Sequence, residues 1–95
     1  MRKRWYVYII TNHTNTVLYT GVTNDIERRV YEHRSGIVKS SFSKRYRLYN
    51  LIWCEEFGSP TEAIEVEKHL KGWRREKKLA LIKALNPNLQ DLLAG

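Results

Sequence analysis

Ninety-five residues leave room for one domain, 1–95, and little for a second core. Seventeen Lys and Arg against ten Asp and Glu give a formal charge of +7, a balance that favours a polyanionic partner, nucleic acid first of all. Cys54 is the single cysteine, no CxxC or Cys/His cluster occurs, and no stretch approaches a membrane span. An internal disulfide is therefore excluded, nothing suggests a zinc site, and no membrane-spanning helix is expected.

The amino terminus, Met1-Arg2-Lys3-Arg4 followed by Trp5 to Ile10, superficially resembles an export signal. Its apolar part holds two tyrosines and is too short and too polar for an export core. The cytoplasm is the expected compartment. No segment sets a basic face against a continuous apolar one, which argues against a membrane surface as partner.

Trp5 to Thr11 and Val17 to Thr23 are rich in β-branched and aromatic residues, with polar turn formers from Asn12 to Thr16 between them. They predict a β-hairpin. Asn24, with Glu27 three residues later, has the spacing of a helix start. Ile26, Val30, His33 and Ile37 then fall on one helical stripe, and Gly36 ends the helix. Lys39 to Arg47 is basic and serine-rich, and Leu48 to Phe57 reads as a third strand. Ser59-Pro60-Thr61-Glu62 supplies a cap, a first-position proline and a capping glutamate for a helix running to about Lys71. Gly72 interrupts it, a further helix covers Arg75 to Ala84, and a short terminal helix is expected around Leu89 to Leu93. The order ββαβααα is that of an α+β domain, a small three-stranded antiparallel sheet flanked by helices.

Several polar residues fall where apolar ones belong. His33 lies within the apolar stripe of the first helix and Arg29 at its edge, four residues apart, so their side chains can converge. The bland alternative is a histidine bonded to a backbone carbonyl and an arginine paired with Glu32 or Asp25. On the later helix Ala63, Val66 and Leu70 define the apolar face, and Glu67 points into the same sector. A carboxylate there is costly unless it is paired, with Arg29 or a lysine, or binds a cation. One carboxylate with phosphate oxygens and water is a common way to hold Mg²⁺. Tyr8 and Tyr19 lie on adjacent strands of the hairpin, close to opposite each other for a short loop. Strand tyrosines usually serve packing; the ordered set of two tyrosines, Gly21, Arg29, His33 and Glu67 is far more specific than any member.

That set resembles the GIY-YIG nucleases, whose name spells two tripeptides, here Tyr6-Val7-Tyr8 and Tyr19-Thr20-Gly21. The resemblance runs from Tyr6 to at least Lys71 and is to small stand-alone bacterial proteins of the family. Ala63, four residues before Glu67, fits the family pattern around a metal-binding glutamate. Tyr6 replaces the glycine of the first tripeptide and Thr20 the isoleucine of the second, changes expected to alter strand packing more than chemistry. The family's carboxy-terminal asparagine matches Asn86 or Asn88.

The resemblance implies an endonuclease that hydrolyses DNA phosphodiesters, with DNA repair as its broad setting. It implies one divalent ion, Mg²⁺ or Mn²⁺, on Glu67, and no small-molecule cofactor. Arg29 would neutralise charge on the phosphate, Tyr8 or Tyr19 would act as base, and His33 would bond the phosphate or relay a proton. Lys39, Lys44, Arg45 and Arg47 would track the DNA backbone, with Phe42 or Tyr46 stacking on a base. A minimal domain has no obvious means of selecting sites, so an unidentified protein partner supplying specificity is an expectation too. The alternative is a nucleic-acid-binding module that keeps the fold without useful cleavage.

Overall fold

The computed structural model describes residues 4–36 and 47–93. Two strands, β1 (Trp5–Thr11) and β2 (Leu18–Thr23), form the expected hairpin, and β3 (Asn50–Phe57) pairs antiparallel with the other edge of β1. The sheet order is thus β2-β1-β3. β1 takes the centre because its sequence is apolar on both faces: Val7, Tyr8, Ile9, Ile10 and Thr11 are all fully buried.

A bulge shapes the β1–β3 pairing. Ile9 faces Trp53 and Ile10 faces Leu51, leaving Ile52 as the extra residue. Ile52 and Trp53 therefore join the same cluster, with Val7 and Ile9. Helices cover both faces. α1 (Ile26–Ser35) packs through Val30 on Tyr8, Ile10, Leu48 and Leu51. α2 (Pro60–Gly72) and α3 (Arg75–Leu85) bury Ala63, Leu70 and Ile82 against the opposite face.

The caps explain the boundaries. Asp25, rather than Asn24, caps α1 and accepts from the Arg28 N–H at 3.2 Å. The Thr23 hydroxyl accepts the Asp25 N–H at 3.1 Å, so the turn out of β2 presents Asp25 to the helix instead of its neighbour. Gly36 closes α1 at φ 76°, a left-handed conformation that favours glycine. Ser59 caps α2 with Pro60 in its first turn.

The terminal helix expected around Leu89 to Leu93 does not form; α3 is the last helix and the described tail runs in turns. Side chains hold it to β3 instead. The buried Asn86 amide donates to the carbonyls of Ile52 (3.0 Å) and Gln90 (2.7 Å) and accepts the Gln90 N–H (3.0 Å). Asp91 pairs with Arg34 and accepts the Leu51 N–H at 3.2 Å, while the Leu92 N–H donates to the Leu51 carbonyl at 2.8 Å. These bonds satisfy backbone groups that a helix would otherwise recruit, and they cover the outer edge of β3. No helix among the described residues is long and apolar enough to cross a membrane.

Candidate active site

Strand register decides how the two tyrosines meet. Tyr8 lies opposite Gly21, and Tyr19 lies opposite Ile10. The tyrosines are therefore diagonal neighbours on one face rather than directly opposed, because the strands begin to pair only at Thr11 and Leu18. Their ring centroids are 6.4 Å apart. A β-carbon on Gly21 would stand 2.4 Å from the Tyr8 hydroxyl oxygen and 2.5 Å from Cζ. The phenol occupies the space a side chain would need.

α1 brings two more groups to the same phenol. The Arg29 Nε–H donates to the Tyr8 oxygen at 3.2 Å, and the Tyr8 oxygen lies 3.0 Å from His33 Nε2. Arginine can only donate, so the hydroxyl's own proton is available to His33, which then carries its ring proton on Nδ1. His33 meets both tyrosine rings edge-on, at 5.8 Å and 5.3 Å between centroids. Burial, reinforced by the Arg29 charge, pushes its pKa down to about 4. Burial pushes the Tyr8 phenol up to about 12, against the opposing hydrogen bond from Arg29. At neutral pH this is a neutral phenol beside a neutral imidazole, with Arg29 as the charge. Arg29 also pairs with Glu32 at 3.4 Å, one of the pairings open to it from sequence.

Glu67 approaches from α2, which packs against the edge strand β2 as well as β1. From there its negative charge opposes ionisation of Tyr8. Its side chain is only 16% exposed and pairs at 3.5 Å with Lys71, whose side chain is 53% exposed. Tyr8, Tyr19, Arg29 and His33 thus form one contiguous group, and Glu67 lies within electrostatic reach of it. Lys39, Lys44 and Arg45 lie outside the described residues, as do Phe42 and Tyr46. Arg47 is exposed and lines a cleft of about 440 Å³ that His33 also borders. Of the two asparagines, Asn86 is spent on the tail's hydrogen bonds and Asn88 is exposed.

A profile of the GIY-YIG catalytic domain matches residues 4–80. The chain belongs to the GIY-YIG family. Similar proteins include a UPF0213 protein of Staphylococcus saprophyticus, 36% identical over 81% of this chain and 92% of the relative. A UPF0213 protein of Vibrio campbellii is 38% identical over 84% and 75%. The solution structure of the UPF0213 protein from Bacillus halodurans superposes with a TM-score of 0.57 at 30% identity, covering 93% of this chain and 92% of that one.

Within this GIY-YIG domain the two departures from the tripeptides lie off the phenol group. The Tyr6 hydroxyl donates to Glu56 at 3.2 Å. Thr20 is buried, and its hydroxyl has no partner among the described residues. The lysine expected as an alternative partner of Glu67 is Lys71, four residues on, at the spacing of a helical ion pair. The reason for Gly21 was hidden, since only the strand register sets it beside Tyr8.

Proposed function

We propose that this GIY-YIG domain is a divalent-metal-dependent endonuclease acting on DNA, with Tyr8, Tyr19, Arg29, His33 and Glu67 as its reaction centre. The observation that carries the reading is the Arg29–Tyr8–His33 hydrogen-bond chain, centred on the buried Tyr8 phenol. Packing alone gives no reason to tie a guanidinium and an imidazole to one enclosed phenol.

The exposures separate the two tyrosines. Tyr8 is fully buried and cannot meet an attacking water in this arrangement. Tyr8 is thus a positioning residue that aims Arg29 and His33. Tyr19, partly exposed and edge-on to His33, is the tyrosine placed to act as base. Its own phenolic proton first passes to a neighbouring base or to solvent, and the resulting phenolate takes the proton from water. Arg29, about a third exposed, stabilises the charge that grows on the phosphate oxygens.

The donor set fits a hard cation held partly by substrate. Among the described residues no group of three or more His, Cys, Asp or Glu forms a protein-only cage. Glu67 would be the protein ligand, with phosphate oxygens and water completing the shell. When bound, Mg²⁺ or Mn²⁺ supplies Lewis-acid activation of the scissile phosphate. Lys71 neutralises Glu67 meanwhile, and its exposure lets it swing away.

The test is cleavage of plasmid, single-stranded, flap and branched DNA with Mn²⁺ or Mg²⁺, comparing the parent with Arg29→Ala and Tyr19→Phe. Cleavage by the parent that both variants lose supports the reading. A folded parent that cuts none of these substrates with either ion would sink it.

A further inference from the structure

The cleft beside His33 has a wall that the reaction centre does not use. It is lined by His13 from the hairpin turn, by Arg34 at the end of α1, and by Arg47, Leu48 and Tyr49 ahead of β3. The His13 and Tyr49 rings stack at 4.7 Å between centroids, tilted by 31°. The Arg34 guanidinium lies 4.5 Å from the Tyr49 ring centre, and its Nε–H donates to the Tyr49 carbonyl at 2.8 Å. Arg34 is itself neutralised by Asp91, so its place in the stack is fixed. Both rings remain open to solvent: His13 is exposed and Tyr49 is 40% exposed. Arg47, at the same cleft, has no ion pair among the described residues.

The turn that carries His13 is also fastened from outside. The Arg75 guanidinium on α3 donates to the carbonyls of Asn15 and Thr16, at 2.5 Å and 2.9 Å. A hairpin tip is ordinarily mobile; here a helix from the far face of the sheet holds it where His13 can meet Tyr49.

We propose that the His13–Tyr49 pair is a stacking platform for an unpaired base of the DNA strand, with Arg47 on that nucleotide's phosphate. An exposed aromatic pair flanked by cations is the surface that single-stranded nucleic acid uses, because every base offers a π-face and every linkage a charge. His33 borders both this cleft and the Tyr8 phenol, so the stacked nucleotide lies next to the scissile linkage. The platform deepens the nuclease reading and rests on it: the substrate class becomes DNA with an unpaired nucleotide at the cut. A base within a duplex has its faces covered by its neighbours and cannot be taken this way.

Stacking is read without cleavage. The full chain in EDTA is titrated with a splayed-arm duplex carrying 2-aminopurine at the first unpaired position, and with a blunt duplex of the same sequence. Binding should quench the 2-aminopurine. His13→Ala and Tyr49→Leu should abolish the quench and weaken splayed-arm binding roughly 5- to 100-fold, with less than about a twofold change on the blunt duplex. Tyr49→Trp should keep the quench, and Arg75→Ala should reduce it while leaving both rings present. Bound wild-type protein without quench, or an equal loss on both DNAs, overturns the proposal. Should Tyr49→Leu misfold, the exposed His13→Ala decides alone. Quench without Mn²⁺-dependent cleavage would fail the nuclease reading and keep the platform; cleavage without quench would do the reverse.

Discussion

Gly21 and Tyr8 face each other across β1 and β2, and the Tyr8 phenol fills the volume where a Gly21 side chain would begin. Tyr8 has no exposed surface, so its ring cannot move aside into solvent. Gly21→Ala should therefore act as an overpacking change costing about 1–3 kcal/mol, or roughly 4–8 °C in Tm per kcal/mol for a domain of this size. It should also abolish nicking, although no proposed catalytic atom is removed, because Arg29 and His33 both take their position from Tyr8. Thermal melting and Mn²⁺-dependent plasmid nicking check both parts; unchanged values would show that the register is looser than the structure has it.

His33 makes stability depend on pH. The unfolded imidazole takes its proton near 6.5 and the folded one only near 4, chiefly because of burial and then because of Arg29. Between those values the unfolded chain binds the extra proton, so the protein is destabilised as pH falls through this window. At 1.36 kcal/mol per unit, roughly 3 kcal/mol of stability present above pH 6.5 should be gone by pH 4. His33→Gln should flatten the curve there, even if it starts lower. Urea denaturation at steps from pH 7 to pH 4 measures this; parallel losses in parent and variant would assign the effect to other groups.

Thr20 replaces an apolar residue with a buried hydroxyl that has no partner among the described residues. Thr20→Val keeps the shape and removes the unsatisfied group. A gain of about 1–2 kcal/mol is expected, visible as a Tm rise with activity retained. A loss of stability on this change would reveal a hydrogen bond at the Thr20 hydroxyl.

The Glu67–Lys71 pair is half-solvated, since more than half of the Lys71 side chain is exposed. Such i,i+4 pairs contribute about 0.3–0.5 kcal/mol. Glu67→Gln should thus leave the Tm nearly level while ending cleavage and Mn²⁺ binding, with DNA affinity largely kept. Lys71→Ala should move the Mn²⁺ dependence of cleavage to lower concentration by freeing the carboxylate. A Glu67→Gln protein that melts far earlier would instead mark Glu67 as a structural residue.

What the chain determined by itself is local. β1 was legible to the residue because Trp5 to Thr11 is an unbroken β-forming run bounded by turn formers, and α2 because Ser59, Pro60 and Gly72 mark its ends. Helical spacing alone also put Arg29 beside His33 and Glu67 on an apolar sector. Tertiary structure decided the rest. Nothing local aligns Tyr8 with Gly21 rather than Tyr19; that register follows from which faces of β1 and β2 are buried together. The shift of the α1 cap to Asp25 depended on a turn closed by Thr23. The helix expected around Leu89 to Leu93 gives way to turns because Asn86 and Asp91 bind β3 backbone groups that exist only once the sheet has formed. The stack of His13 on Tyr49 joins a hairpin turn to the approach of β3, far apart in sequence. Such long-range contacts carry no periodicity to read, because only the packed sheet and its helices set their distances.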